Sequence, residues 1–189
     1  MTKPNLFNWD ELNILREDAI RFIRDAKQKK PRKEDIDRFC DYMEFVFCLI
    51  YDYGWKDAEQ IIGIVPVKDG LDDKAVNLEI DGETFRERAE KQIADLSEEG
   101  ILRIIETEMH RDYNTGVYDA AKQSGKRVMK HWNTMQDGRV RETHDYLEGA
   151  VVRVNDRFYT FDGDSALAPG GFSKPENNCN CRCWITLTA

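Results

Sequence analysis

At Gly125 the hydrophobic period of this chain changes from three-to-four residues to two, and no single class of secondary structure accommodates both sides of that change. Upstream, Leu12, Leu15, Ala19, Phe22 and Ile23 fall at helical spacing, with Asp10 and Glu11 placed to favour the N-terminal dipole. Pro31 ends that helix. Glu34-Asp35 open a second one, with Ile36, Phe39, Met43, Phe47 and Ile50 on its apolar face and Gly54 as its stop. Thr84 caps a third helix to about Leu96, Ser97-x-x-Gly100 reads as a break, and a long fourth helix runs from Ile101 to about Gln123. Downstream of Gly125, Val128, Lys130, Trp132 and Thr134 alternate with Arg127, Met129, His131 and Asn133, as on a half-buried strand. Further strands are expected over 151–154, 157–161 and 184–187, with Asn155-Asp156 as a hairpin signal between the first two. The expected fold is α+β: a helical N-terminal half followed by a long helix and a small antiparallel sheet domain.

Between the halves, Gly63, Pro66, Asp69-Gly70 and Asp81-Gly82 are turn signals in a stretch without period. Ile61-Ile62 and Ile64-Val65 there read equally as a short strand or an apolar foot. The expected organisation is a helical region over 1–62, a linker or irregular segment over 63–83, and an α+β domain over 84–189.

Composition narrows the class. The longest apolar run, Phe45-Val46-Phe47-Cys48-Leu49-Ile50, is far short of the about 18 residues a spanning helix needs, and Met1-Thr2-Lys3-Pro4 lacks the order of an export signal. A cytoplasmic protein without a membrane role is expected. Five cysteines in that compartment point to free thiols or a metal site rather than a disulfide framework. A net charge of −8 disfavours DNA binding over the whole surface, leaving local basic islands at 27–33 and 122–130 that read as solvated charge. The aromatics from Phe39 to Trp55 have acidic flanks, which suits core or partner-helix packing better than base stacking.

The chemistry gathers in two islands, Trp132 to His144 and Asn177 to Cys183. Asp137, Arg139, Arg141 and His144 crowd one turn, and Cys179, Cys181 and Cys183 alternate, so an extended segment would project all three thiols to one side. His144, with Asp137 or His131 as alternatives, could complete a zinc shell, although paired zinc cysteines usually lie two to four residues apart and a second pair is missing. The competing reading is buried thiols beside an arginine–carboxylate network, with Arg139 and Arg141 pairing Glu106 or Glu108. Cys40 and Cys48 read as core thiols. Arg103, Glu106, His110 and Asn114 share a face of the long helix, either as a solvated stripe or as the surface that receives the sheet.

A strand ending in Trp132, then Asp137-x-Arg139-x-Arg141-x-x-His144, Leu147-x-Gly149 and a closing Asn180-Cys181-Arg182-Cys183, resembles the C-terminal domain of phage Mu F-like head-morphogenesis proteins, the minor head protein family. The preceding helix, with Arg103 to Glu108, Arg111, Asn114 and Gly116, is similar to the helix before that domain. The resemblance covers about residues 99–187. It implies a phage or prophage minor head protein located in the host cytoplasm, with the virion as the alternative, and acting with the portal and with capsid or scaffold proteins. The implied structural cluster is Arg103, Glu106, Glu108, Asn114, Asp137, Arg139, Arg141, His144, Asn180 and Arg182, without a cofactor, zinc being the alternative. The other functional class is a metal- or Arg/His-dependent enzyme such as a nuclease, using Asp137, Arg139 and His144.

Overall fold

The computed structural model describes residues 9–66, 79–80 and 82–189, with side chains from residue 13 onward. Four helices are laid down first: α1 Trp9–Gln28, α2 Lys33–Ile62, α3 Phe85–Ala94 and α4 Glu98–Gln123. Their starts follow local chemistry. Thr84 accepts a hydrogen bond from the Glu87 backbone N–H while the Glu87 carboxylate accepts from the Thr84 N–H at 2.8 Å, a reciprocal cap. Ser97 accepts from the Gly100 N–H at 3.0 Å, so α4 begins at Glu98, where two glutamates meet the positive end of the helix dipole.

Gly54 is not a stop. The helix α2 runs straight through it, because α4 crosses there at backbone contact: a Cβ on Gly54 would lie 2.1 Å from the Tyr113 carbonyl oxygen, and one on Gly116 would lie 2.1 Å from that of Tyr51. The two glycines are what lets the long helices approach. Ile61-Ile62 belongs to α2 rather than to a strand, Gly63 closes it, and Ile64 stands 90% exposed. Asp69-Gly70 and Asp81 lie outside the described residues.

Beyond α4 come β1 Met129–Asn133, the short α5 Glu142–Asp145, β2 Val151–Arg153, β3 Phe158–Tyr159, β4 Ser165–Ala166, the short α6 Pro175–Asn178 and β5 Trp184–Thr188. The main sheet is antiparallel in the order β2-β1-β5, with Lys130 opposite Val152 on one side and Leu187 on the other. The expected hairpin at Asn155-Asp156 does not form. The turn carries the chain out of the sheet, and β3 pairs with β4 instead, Phe158 opposite Ala166.

Even positions of β1 face inward, as the alternation predicts, and they include a lysine. Lys130 is fully buried; its ammonium donates to the carbonyls of Asp156 at 2.9 Å and Leu167 at 2.6 Å and sits 5.0 and 5.1 Å from the ring centres of Tyr118 and Phe158. Burial lowers its pKa to about 8.

One hydrophobic core runs without interruption from Leu15 on α1 through α2, α3 and α4 to Leu187 on β5. The aromatics of α2 are divided. Phe39, Phe47, Tyr51 and Trp55 are buried, whereas Tyr42, Phe45, Leu49 and Tyr53 form an exposed stripe on the opposite face. Among the described residues no helix is long and apolar enough to cross a membrane.

Candidate functional site

The site lies where β1 ends and β5 begins. Trp132 is fully buried on β1 and packs edge-on against His144, Phe158 and Phe172, with ring centres 5.4, 5.1 and 5.7 Å away. His144 stacks on Phe172 at 5.2 Å. The ring is held in an apolar wall. Its helix, α5, is one turn that follows Arg141 and is tied to α6 by Thr143, whose hydroxyl donates to Asn177 at 3.1 Å.

His144 Nδ1 meets two sulfurs at once, Cys183 Sγ at 3.4 Å and Cys181 Sγ at 3.5 Å, and all three residues are buried. The ligand atoms of the three lie within 4.8 Å of one another. Cys179 does not join them. It ends α6, and Asn180 then adopts a left-handed φ of 55°, which breaks the alternation that would have aligned three thiols. Contact with Cys183, and then with the His144 ring, holds the Cys181 thiol below its usual range, while contact with Cys181 and burial push Cys183 up.

Around this centre the polar residues take other partners than the sequence suggested. Asp137 is gripped by Arg182 through two bonds of 2.7 and 2.8 Å, and this, with the Arg139 backbone N–H, keeps its carboxyl well below the usual range. Arg139 is 79% exposed and touches Asp137 only at 3.7 Å. Arg141 donates to the Cys179 carbonyl. Neither arginine pairs with Glu106 or Glu108: Glu106 binds Arg16 of α1 at 3.2 Å, and Glu108 is held by Arg88 at 2.6 Å and by Arg111. Arg103 and Asn180 are exposed, and His131 is outside the centre, 2.9 Å from Thr188 on the sheet. Asp137 therefore pairs with Arg182 and the Arg139 backbone N–H, while Arg139 and His144 both line the depression at the mouth of the site.

Asn114 is the residue of the α4 stripe that reaches the sheet. Fully buried, it donates to the His110 carbonyl at 2.7 Å and the Cys183 carbonyl at 3.2 Å, and accepts from the Ile185 N–H at 3.0 Å. It fixes Cys183 and the start of β5 on the long helix.

Comparison with known proteins gives a family. The family described as "Phage Mu protein F like protein" matches residues 74–186, well over half of the chain and all of the site. The chain belongs to this family. It is 34% identical over 79 residues to minor head protein GP7 of Bacillus phage SPP1, a stretch that makes up 41% of this chain and 26% of that protein. It is also 36% identical over 85 residues to the NAD(+)–arginine ADP-ribosyltransferase EFV of Enterococcus faecalis, covering 43% of this chain and 17% of that protein. The chain thus matches about a quarter or less of the length of either relative. No solved structure gives a significant match.

The structure adds to this Mu F-like chain one residue that pattern reading passed over, Asp164, and gives Asn178, inside the second island, a role. Asp164 is buried and accepts from the N–H groups of Ser165 at 2.8 Å, Ser173 at 3.1 Å and Lys174 at 2.9 Å, from the Ser173 hydroxyl at 2.7 Å and from Asn177 at 3.1 Å. Asn178 closes the loop on itself by accepting from the Phe172 N–H and donating to the Phe172 carbonyl at 2.8 Å. Both tie down the 160–178 loop that seats Phe172 against His144. A signal existed: asparagines and aspartates at this density commonly satisfy loop backbone. His144, Cys181 and Cys183 are the residues here that could hold a metal.

Proposed function

We propose that this protein acts in phage or prophage head morphogenesis as a minor head protein that meets the portal and the capsid or scaffold proteins during assembly in the host cytoplasm, and that it enters the virion. The observation that carries the reading is the family match across α4, the sheet and the site, joined to the 34% identity with a protein named for its place in the phage head.

The geometry supports an assembly role. Asp137 and Asn114 hold β5 and its neighbouring loop in place. The exposed stripe Phe45, Leu49 and Tyr53 on α2, flanked by Tyr42, whose hydroxyl donates to Asp18 of α1, is the surface we assign to a head partner, since large apolar groups left exposed at helical spacing suit helix packing. The net charge of −8 suits contact with protein better than with DNA.

The test is an in-frame deletion of the coding sequence in its phage, complemented in trans. The expected result is loss or malformation of heads, restored by the intact gene. Normal numbers of infectious, DNA-filled heads from the deletion phage would overturn the proposal.

A further inference from the structure

We propose that His144 Nδ1, Cys181 Sγ and Cys183 Sγ form a three-ligand transition-metal site, zinc being the natural occupant, whose fourth position opens to the depression lined by Met135, Arg139, Val140, Arg141 and Asn180. The distances support it. A tetrahedral zinc with Zn–N of about 2.05 Å and Zn–S of about 2.3 Å places each nitrogen–sulfur pair about 3.6 Å apart. The two pairs here measure 3.4 and 3.5 Å.

Hydrogen bonding alone serves this arrangement poorly. A neutral imidazole nitrogen has one lone pair, so it accepts one S–H well, yet two sulfurs converge on it in a site closed by Trp132 and Phe172. A divalent cation at their centre engages all three atoms. With two thiolates and a neutral imidazole the assembly carries no net charge, which removes the main objection to burying ions there. The ligands are also positioned in advance. Asn114 grips the backbone on both sides of Trp184, the Arg182–Asp137 pair fixes the residue between the two cysteines, and Arg141 holds the Cys179 carbonyl. Cys179 is left out, so the shell is completed by solvent or by a group entering from the depression. The site does not depend on the assembly role and stands or falls separately from it.

The experiment uses the full chain, purified with its thiols reduced and stripped of metal, then titrated with cobalt(II) and with zinc. The expected result is one ion per chain, with a thiolate-to-cobalt charge-transfer band and visible ligand-field bands of tetrahedral strength, all displaced by zinc. Cys181→Ser, Cys183→Ser and His144→Ala should each weaken binding by more than the about 10- to 100-fold that loss of an outer-shell partner costs. Cys179→Ser and Cys40→Ser should bind as the wild type does. Azide added to the cobalt form should shift the visible bands, as an open position requires. Absence of tetrahedral cobalt binding by the folded wild-type chain overturns the site whatever the variants do; loss of binding in Cys179→Ser, or a spectrum indifferent to azide, overturns the three-ligand assignment.

Discussion

Asn114 joins the long helix to the sheet through three hydrogen bonds, so its removal gives a loss of stability that can be worked out from the structure. In Asn114→Ala the Ile185 N–H and the Cys183 carbonyl lose their partner in an interior where both residues are buried. The His110 carbonyl loses only an extra acceptance, since it also belongs to the helix ladder. Each orphaned buried group costs about 1–3 kcal/mol, and the pair sums to about 4 kcal/mol. For a chain of this size a urea m value of about 2.5 kcal/mol/M converts that into a fall in midpoint of about 1.5 M. Arg139→Ala serves as the control. Its side chain is 79% exposed, so it should stay within about 0.5 kcal/mol of the wild type. Equilibrium urea unfolding, followed by tryptophan fluorescence and by far-ultraviolet circular dichroism, reads both. An Asn114→Ala midpoint within about 0.2 M of the wild type, with an unchanged m value, would refute the reasoning.

Other outcomes follow from the packing. Gly116→Ala sets a methyl group 2.1 Å from the Tyr51 carbonyl oxygen at the crossing of α2 and α4, and should cost about 3 kcal/mol or more in thermal or urea unfolding. Asp112 is buried with only a long 3.8 Å ion pair to Arg111, and burial raises its pKa, so its folded form favours the proton; that contribution to stability is whole below the ordinary carboxylate range and is lost as pH rises through the raised value. Asp112→Asn should therefore match or exceed the wild type at pH 7 and lose less stability between pH 4 and pH 8. Limited proteolysis should cut first within 63–83, and because one core joins the helices to the sheet, the two fragments should elute together from a native sizing column. Phe45→Ser should leave the unfolding midpoint unchanged within about 0.5 kcal/mol, since the ring is 59% exposed, while weakening attachment to heads.

Much of the architecture was legible because it rests on local chemistry. The cap at Thr84, the alternation from Val128 to Thr134 and the change of class at Gly125 each need only neighbours in sequence, and each reappears in the structure, whereas the break read over Ser97 to Gly100 proves to be the cap and first turn of the long helix. The other misreadings depend on what lies across space. Gly54 looked like a stop because the approach of Tyr113 is invisible along the chain, and Asn155-Asp156 looked like a hairpin because the competing strand, Ser165–Ala166, is only two residues long. Within the site, the carboxylates expected for Arg139 and Arg141, Glu106 and Glu108, take other arginines instead, Arg139 points to water, and Asp137 is held by Arg182 from the edge of β5. Alternation predicted three aligned thiols; a single left-handed residue, Asn180, reduced them to two. The meeting of His144 with Cys181 and Cys183 was anticipated by the pattern, whereas the apolar wall of Trp132 and Phe172 that closes it was not.

The assembly role itself is tested most directly by recovery of the tagged full-length protein from cells in which its phage is forming heads, with quantitative mass spectrometry of what is bound and of gradient-purified procapsids. The account predicts portal and capsid proteins as the dominant specific partners, the protein itself in procapsid fractions, and loss of both signals in Phe45→Ser. Absence of the protein from procapsids, together with no enrichment of portal or capsid over a mock-tagged control, would contradict it.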